Sequence, residues 1–230
     1  MFTSHECYVK SIKRLLPSNY NIVLSEEETI NLKCRCFGLQ LSPRIYHSLI
    51  RPKWFTKFYI QNHIQRHFNF SDKKVLDFGA GTGANSTLCT PDHYFGIDPD
   101  SYRIEFAKRL YNDYRFETFK GNELPADNHS FDYILIIAVL HHIPPEMVYD
   151  YIKEFKRVLK PDGRIVVIEP CLFEKSPISN WFMRTNDKGD YILREEDYLN
   201  YFTKEKFHCQ VLKKYKKCFF YNELYFSASL

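Results

Sequence analysis

At 230 residues, with 44% hydrophobic and 17% aromatic content, the chain has the size and composition of one globular domain plus a short N-terminal extension. That composition excludes a low-complexity chain, and the length removes any need for disulfide or metal staples. A net charge of +4 is too mild to imply nucleic acid by itself, and no apolar run approaches the ~20 residues needed to cross a bilayer.

In chain order, residues 1–40 show little periodicity, although Ser25 followed by Glu28 matches a helix N-cap and capping box. After Pro52 a helix is expected, because Phe55, Tyr59 and His63 recur at four-residue steps beside Ile60, Ile64 and Phe68. Residues 1–70 are assigned to a helical extension acting as a substrate lid, and 71–230 to the main domain. Strands are expected at 74–78, 94–97, 116–120, 131–137 and 164–169, with helices at 84–89, 101–111 and 145–160 between them. The breaker cluster Lys160-Pro161-Asp162-Gly163 should end the last helix. Residues 170–194 read as a long irregular loop, and 207–215 with 218–227 as an antiparallel hairpin. The fold class is therefore α/β: Rossmann-like, doubly wound, a mainly parallel seven-stranded sheet closed by a C-terminal antiparallel hairpin.

Between Lys204 and Lys217 six lysines face one acid, Glu205. Two readings stay open: a solvated strand edge protected by lysine, or a surface for an acidic partner or membrane. Seven scattered cysteines with no secretory signal ahead of them predict a reduced, cytoplasmic protein. Cys34 and Cys36 stand too close for an ordinary zinc knuckle, so no metal is expected.

The segment Val75-Leu76-Asp77-Phe78-Gly79-Ala80-Gly81-Thr82-Gly83 carries the most information. A strand should run into a tight turn and then a helix N-terminus, with glycines removing side chains that would block a ligand. Asp77 would repel a pyrophosphate there but suits the ammonium of an amino acid. Asp98, closing the second strand, has the placement that accepts ribose hydroxyls, and Asp100 is the better-placed cap for the helix that follows.

With these blocks in view, the chain resembles the class I S-adenosylmethionine-dependent methyltransferases, in particular the small-molecule branch similar to quinone-biosynthesis enzymes. The resemblance covers Val75 to Glu169. It rests on the glycine segment, on Gly96-Ile97-Asp98, on Gly121-Asn122-Glu123-Leu124-Pro125 with Ser130-Phe131-Asp132, on Val139-Leu140-His141-His142-Ile143, and on Arg157-Val158-Leu159-Lys160-Pro161-Asp162-Gly163. It implies S-adenosyl-L-methionine as cofactor and S-adenosyl-L-homocysteine as product. By the same resemblance, Asp77, Gly79, Ala80 and Gly81 would hold the methionine part, and Asp98 with Pro99 the ribose. Asn122 and Glu123 would flank the adenine, where the family often has Asp in place of Asn122, and Ala138 would face the sulfonium.

A proton acceptor for the methylated group should lie beyond the fourth and fifth strands. His142, His141 and Glu169 are the candidates, since a neutral imidazole suits proton removal near pH 7. Tyr46, Trp54 and Trp181 are candidate lid residues. The segment after strand four lacks the Asn/Asp-Pro-Pro-Tyr/Phe run of enzymes that methylate base amino groups, so a small-molecule acceptor is expected rather than nucleic acid, without integral membrane association. Oligomeric state is left open. Two alternatives remain: a cofactor-binding module without turnover, and a nicotinamide-dependent oxidoreductase on the same fold.

Overall fold

The computed structural model describes residues 53–187 and 189–230. A helical rod opens this part: α1 (Lys53–Thr56), a π-helical turn (Lys57–Gln61) and α2 (Asn62–Gln65). The sheet strands are β1 (Val75–Phe78), β2 (Tyr94–Asp98), β3 (Arg115–Thr118), β4 (Phe131–Ile137), β5 (Leu159–Pro170), β6 (His208–Lys217) and β7 (Tyr221–Ser229). Helices α3 (Ser101–Leu110), α4 (Pro145–Val158), α5 (Pro177–Asn186) and α6 (Glu195–Lys204) fill the connections. The strand order is β3-β2-β1-β4-β5-β7-β6. The first five strands run parallel, and β7 is antiparallel to both neighbours. The sequence-based fold class holds.

Strand alternation separates two apolar layers. Leu76, Phe78, Ile134, Ile136, Ile165 and Val167 pack with Val148, Phe155 and Phe202 of α4 and α6. Val75, Leu135, Ile137, Val166 and Ile168 pack on the other face with Ile60, Ile64, Ile104 and Ala107. A sheet covered on both faces needs apolar residues at successive positions, and β4 supplies them from Ile134 to Ile137. Asp100 caps α3 by accepting from the Tyr102 and Arg103 amides, as expected of a short carboxylate before a helix.

Three expectations need correction. No α-helix forms between the glycine loop and β2; two 3₁₀ turns stand there, at Ser86–Leu88 and Pro91–His93. Asn85, Ser86 and Thr87 form helices poorly, and Pro91, which lacks an N–H to continue a helix, starts the second turn. The Lys160–Gly163 cluster does not stand outside the sheet: β5 begins at Leu159, and these residues form a bulge between the Phe131–Leu159 and Tyr133–Arg164 pairs. Finally, the stretch 170–194 is not irregular throughout. It holds α5, whose buried Met183 accepts the Asn222 amide of β7 at its sulfur. The capping box at Ser25 lies outside the described residues.

Candidate active site

Parallel strands deliver their carboxyl ends to one edge, and the site is assembled there. At β1, Gly79, Gly81 and Gly83 all take positive φ (79°, 54° and 76°), a conformation that costs glycine nothing. They serve different ends. A Cβ on Gly79 would overlap the Val139 side chain, and one on Gly83 would press on Phe116 and Tyr111. At Gly81 the nearest atoms are Asp98 Oδ2 at 3.9 Å and Gly79 O at 4.0 Å. Gly79 and Gly83 therefore let the protein close on itself, while Gly81 keeps an open face toward the edge.

Asp98 shapes that face. Its Oδ2 accepts the Gly81 amide at 2.9 Å and its Oδ1 the Asp100 amide at 2.9 Å. Burial pushes its carboxyl pKa up, against the pull of those amides and of Arg103. Each oxygen keeps a second lone pair, which suits ribose hydroxyls. Asp77 is also buried, and its Oδ2 accepts the Tyr94 hydroxyl at 2.7 Å across the β1–β2 pair. Burial and the Asp77 charge hold the Tyr94 phenol well above its ordinary pKa, so it stays a donor. Ala80 is buried, its amide bonded to Ile97 O at 2.9 Å, and Pro99 is exposed.

Asn122 and Glu123 are exposed on the loop between β3 and β4. Arg157 fixes that loop. Its guanidinium donates to Leu124 O, Ala126 O and Asn128 Oδ1, and is held by Glu154, which also accepts the Leu124 amide. This is what the arginine of the Arg157–Gly163 block does.

Beyond β4, Ala138 takes φ 57° and donates its amide to Ile168 O. This turn aims Val139, Leu140, His141 and His142 across the end of β5, where Glu169 waits, fully buried. Glu169 Oε1 accepts the Val139 and Leu140 amides at 2.7 and 2.9 Å, and Oε2 binds His141 Nδ1 at 2.7 Å. The other side of the His141 ring meets Asp187, with Nε2 to Oδ1 at 3.5 Å. Burial works against a charge on His141, but the Glu169 bond and the charges of Glu169, Asp187 and Glu223 outweigh it and hold its pKa above the ordinary value. His142 lies against it, ring centres 4.0 Å apart, and faces solvent. Partial burial and the His141 charge push the His142 pKa below the ordinary value. The shifts are opposite: the surroundings of His141 favour its imidazolium form, and those of His142 favour the neutral ring.

Sequence reasoning missed the loop after α5. Asp187 Oδ1 accepts the Gly189 amide at 2.7 Å, and the Tyr191 amide donates to His141 O at 3.0 Å. A Cβ on Gly189 would run into the His141 ring. The signal was a turn-forming Asn-Asp-Lys-Gly run at 186–189, but nothing local told that it closes on His141. Donor atoms of His141, His142 and Asp187 lie within 4.8 Å of one another, close enough for one cation. Two carboxylates favour the doubly protonated His141, which has no lone pair for a metal.

Trp54 and Trp181 are both exposed, and Tyr46 lies outside the described residues. A groove of about 760 Å³ opens between Lys74, Phe95, Arg115 and Phe131, which stand at the amino ends of the strands. Its lining takes in Glu123 and Leu124 of the loop between β3 and β4, but none of Asp77, Gly79, Gly81, Asp98, Glu169 or the two histidines.

Residues 76–167 match the model of the methyltransferase domain family. This segment is a methyltransferase domain. An uncharacterized methyltransferase of Staphylococcus carnosus is 29% identical over 137 residues, 58% of this chain and 64% of that protein. A demethylmenaquinone methyltransferase of Tropheryma whipplei is 33% identical over 101 residues, 42% of this chain and 41% of its own length. The chain thus spans less than two thirds of the curated relatives it matches. A crystal structure of an S-adenosylmethionine-dependent methyltransferase from Archaeoglobus fulgidus superposes with a TM-score of 0.66 at 14% identity, covering 81% of this chain and 98% of that one. The methyltransferase recognition, the fold and S-adenosylmethionine as cofactor agree with these findings. Among the described residues no helix is long and apolar enough to cross a membrane.

Proposed function

We propose that the whole chain is a cytoplasmic S-adenosylmethionine-dependent methyltransferase acting on a small or medium organic acceptor. One observation carries this reading: the open face of Gly81, edged by the Asp98 carboxylate, shares a sheet edge with His142, whose ring lies against His141 held by Glu169. When bound, S-adenosylmethionine supplies a methyl group already activated on a sulfonium. Gly79, Ala80 and Gly81 would hold its amino-acid end, with Asp77 adding negative potential. Asp98 and Pro99 would hold the ribose, Asn122 and Glu123 would border the adenine, and Ala138 would lie toward the sulfonium.

The chain then has to align an acceptor, remove its proton and exclude water. His142 takes the proton at its unprotonated ring nitrogen. His141 does not reach the acceptor; buried between Glu169 and Asp187, it is a positioning residue that fixes the ring beside it. Glu169 likewise holds the 139–141 backbone instead of touching substrate. Trp54 and Trp181, both exposed, belong to the lid. The Tropheryma whipplei relative supports an aromatic, quinone-like acceptor.

The test is incubation of a metabolite extract with protein and methyl-labelled cofactor, read by mass spectrometry. A labelled organic product is expected, with His142→Gln reducing its rate about 100-fold while cofactor affinity stays unchanged. Cofactor binding without any labelled product would instead favour a non-catalytic binding module.

A further inference from the structure

Of the ten large apolar side chains that stand exposed among the described residues, six come from three elements at one edge of the molecule: Trp54, Phe58, Ile178, Trp181, Phe219 and Phe220. Their placement follows from the topology. In the β5–β7 pair Pro170 faces Glu223, so the turn before Tyr221 overhangs the carboxyl end of β5. Phe219, 85% exposed, sits at the tip of that turn. Phe220 packs on Phe182 of α5 at 5.6 Å, which ties the helix bearing Ile178 and Trp181 to the turn. On the other side, the Lys217 ammonium lies 5.8 Å from the Phe55 ring, the Tyr215 hydroxyl donates to Tyr59 O, and Gln61 donates to Ala84 O beside the glycine loop. All three elements therefore rim the edge where cofactor and acceptor meet.

The exposed charges of this rim are mostly basic, with Glu174 beside Lys175 the acid among them. Residues 213–220 contain four lysines and no acid. Lys214 and Lys217 are paired with Glu195 and Glu223, while Lys216 is exposed, as are Lys57 of the helical rod and Lys175 and Arg184 beside Ile178 and Trp181. Aromatic side chains flanked by cations are the composition of a membrane-interface belt. A second copy of the chain fits poorly, because a twofold contact would bring these lysines face to face. An anionic bilayer satisfies both features at once.

We propose that this rim docks the protein peripherally on an anionic lipid surface, so that the acceptor mouth opens onto the membrane and takes a lipid-soluble acceptor from it. The proposal rests on the methyltransferase reading for what enters the mouth, but docking is measured without turnover. Both tryptophans of the chain, Trp54 and Trp181, lie on the rim, so their fluorescence reports contact directly.

The full-length protein is mixed with vesicles of phosphatidylcholine alone or with added phosphatidylglycerol. Blue-shifted emission and co-sedimentation are expected only with the anionic vesicles, reversed by high salt. Lys216→Glu should weaken this binding about tenfold, and the Ile178→Ser/Phe219→Ser pair at least as much, with S-adenosylmethionine calorimetry unchanged in both variants. No association with anionic vesicles, or equal association by both variants, would overturn the docking proposal. So would a lipid-free dimer that the same substitutions dissociate, since the rim would then be a protein interface. Intact cofactor heat beside failed vesicle binding refutes docking alone; vesicle binding without cofactor heat refutes the enzyme reading alone.

Discussion

The two halves of the candidate site are built from different materials. The cofactor half is backbone: three left-handed glycines and a carboxylate holding the Gly81 amide, all between residues 77 and 98. The acceptor half is side chains from three distant places, at 139–142, 169 and 187–191, joined by hydrogen bonds to His141 and Glu169. A backbone site is dictated by steric rules acting over a few residues. A side-chain site exists only once β4, β5 and the loop after α5 have been brought together.

The sharpest way to break this comparison is within the glycine loop. Gly79→Ala introduces a Cβ that overlaps Val139 at positive φ, and should cost about 4 kcal/mol of stability. Gly81→Ala meets nothing closer than 3.9 Å and should cost only about 1 kcal/mol. It should nevertheless weaken S-adenosylmethionine binding more than tenfold, whereas chemical denaturation shows the fold intact. If both variants lost stability equally, Gly81 would have no open face.

In the acceptor half, Glu169→Gln keeps the shape but removes the charge that clamps His141, and a loss of about 2 kcal/mol is expected. The pH dependence carries the sign. The folded His141 pKa lies above the unfolded value, so the clamp's contribution is complete below about pH 6.5 and is lost as pH rises through the folded pKa. Denaturation midpoints of the wild type should fall over that interval, and those of Glu169→Gln should fall less. His142 shifts the other way, so methyl transfer should lose its base only below the ordinary histidine range, a pH–rate profile that His142→Gln abolishes. The smallest effect belongs to Tyr94→Phe, which removes one donor from the buried Asp77 carboxylate and should cost about 1 to 2 kcal/mol by thermal unfolding.

The same contrast explains what could be read in advance. The apolar run of β4 and the strand–glycine–strand spacing around Asp98 announce the sheet and its cofactor edge, because both depend on local geometry. The helix expected at 84–89 was a misreading: Asn85, Ser86, Thr87 and Pro91 form a sequence that does not sustain one. Pairing of Glu169 with His141 across 28 positions was not legible, and neither was the closure of Gly189 on the His141 ring. Those contacts are set by the β4–β5 register and by the packing of α5 on β7, which no local pattern encodes. Asp77 is a middle case: its burial at the strand end follows from β1, but its bond to Tyr94 depends on the β1–β2 register, which sets Val75 opposite Tyr94.

The central claim is that the edge formed by Gly79–Gly83 and Asp98 accepts a sulfonium nucleoside. Isothermal titration of the full-length protein with S-adenosylmethionine and, separately, with NADH tests it directly. Saturable heat with the first ligand, little with the second, and loss of the signal in Asp98→Ala are predicted. Tight NADH binding with no response to S-adenosylmethionine would contradict the account.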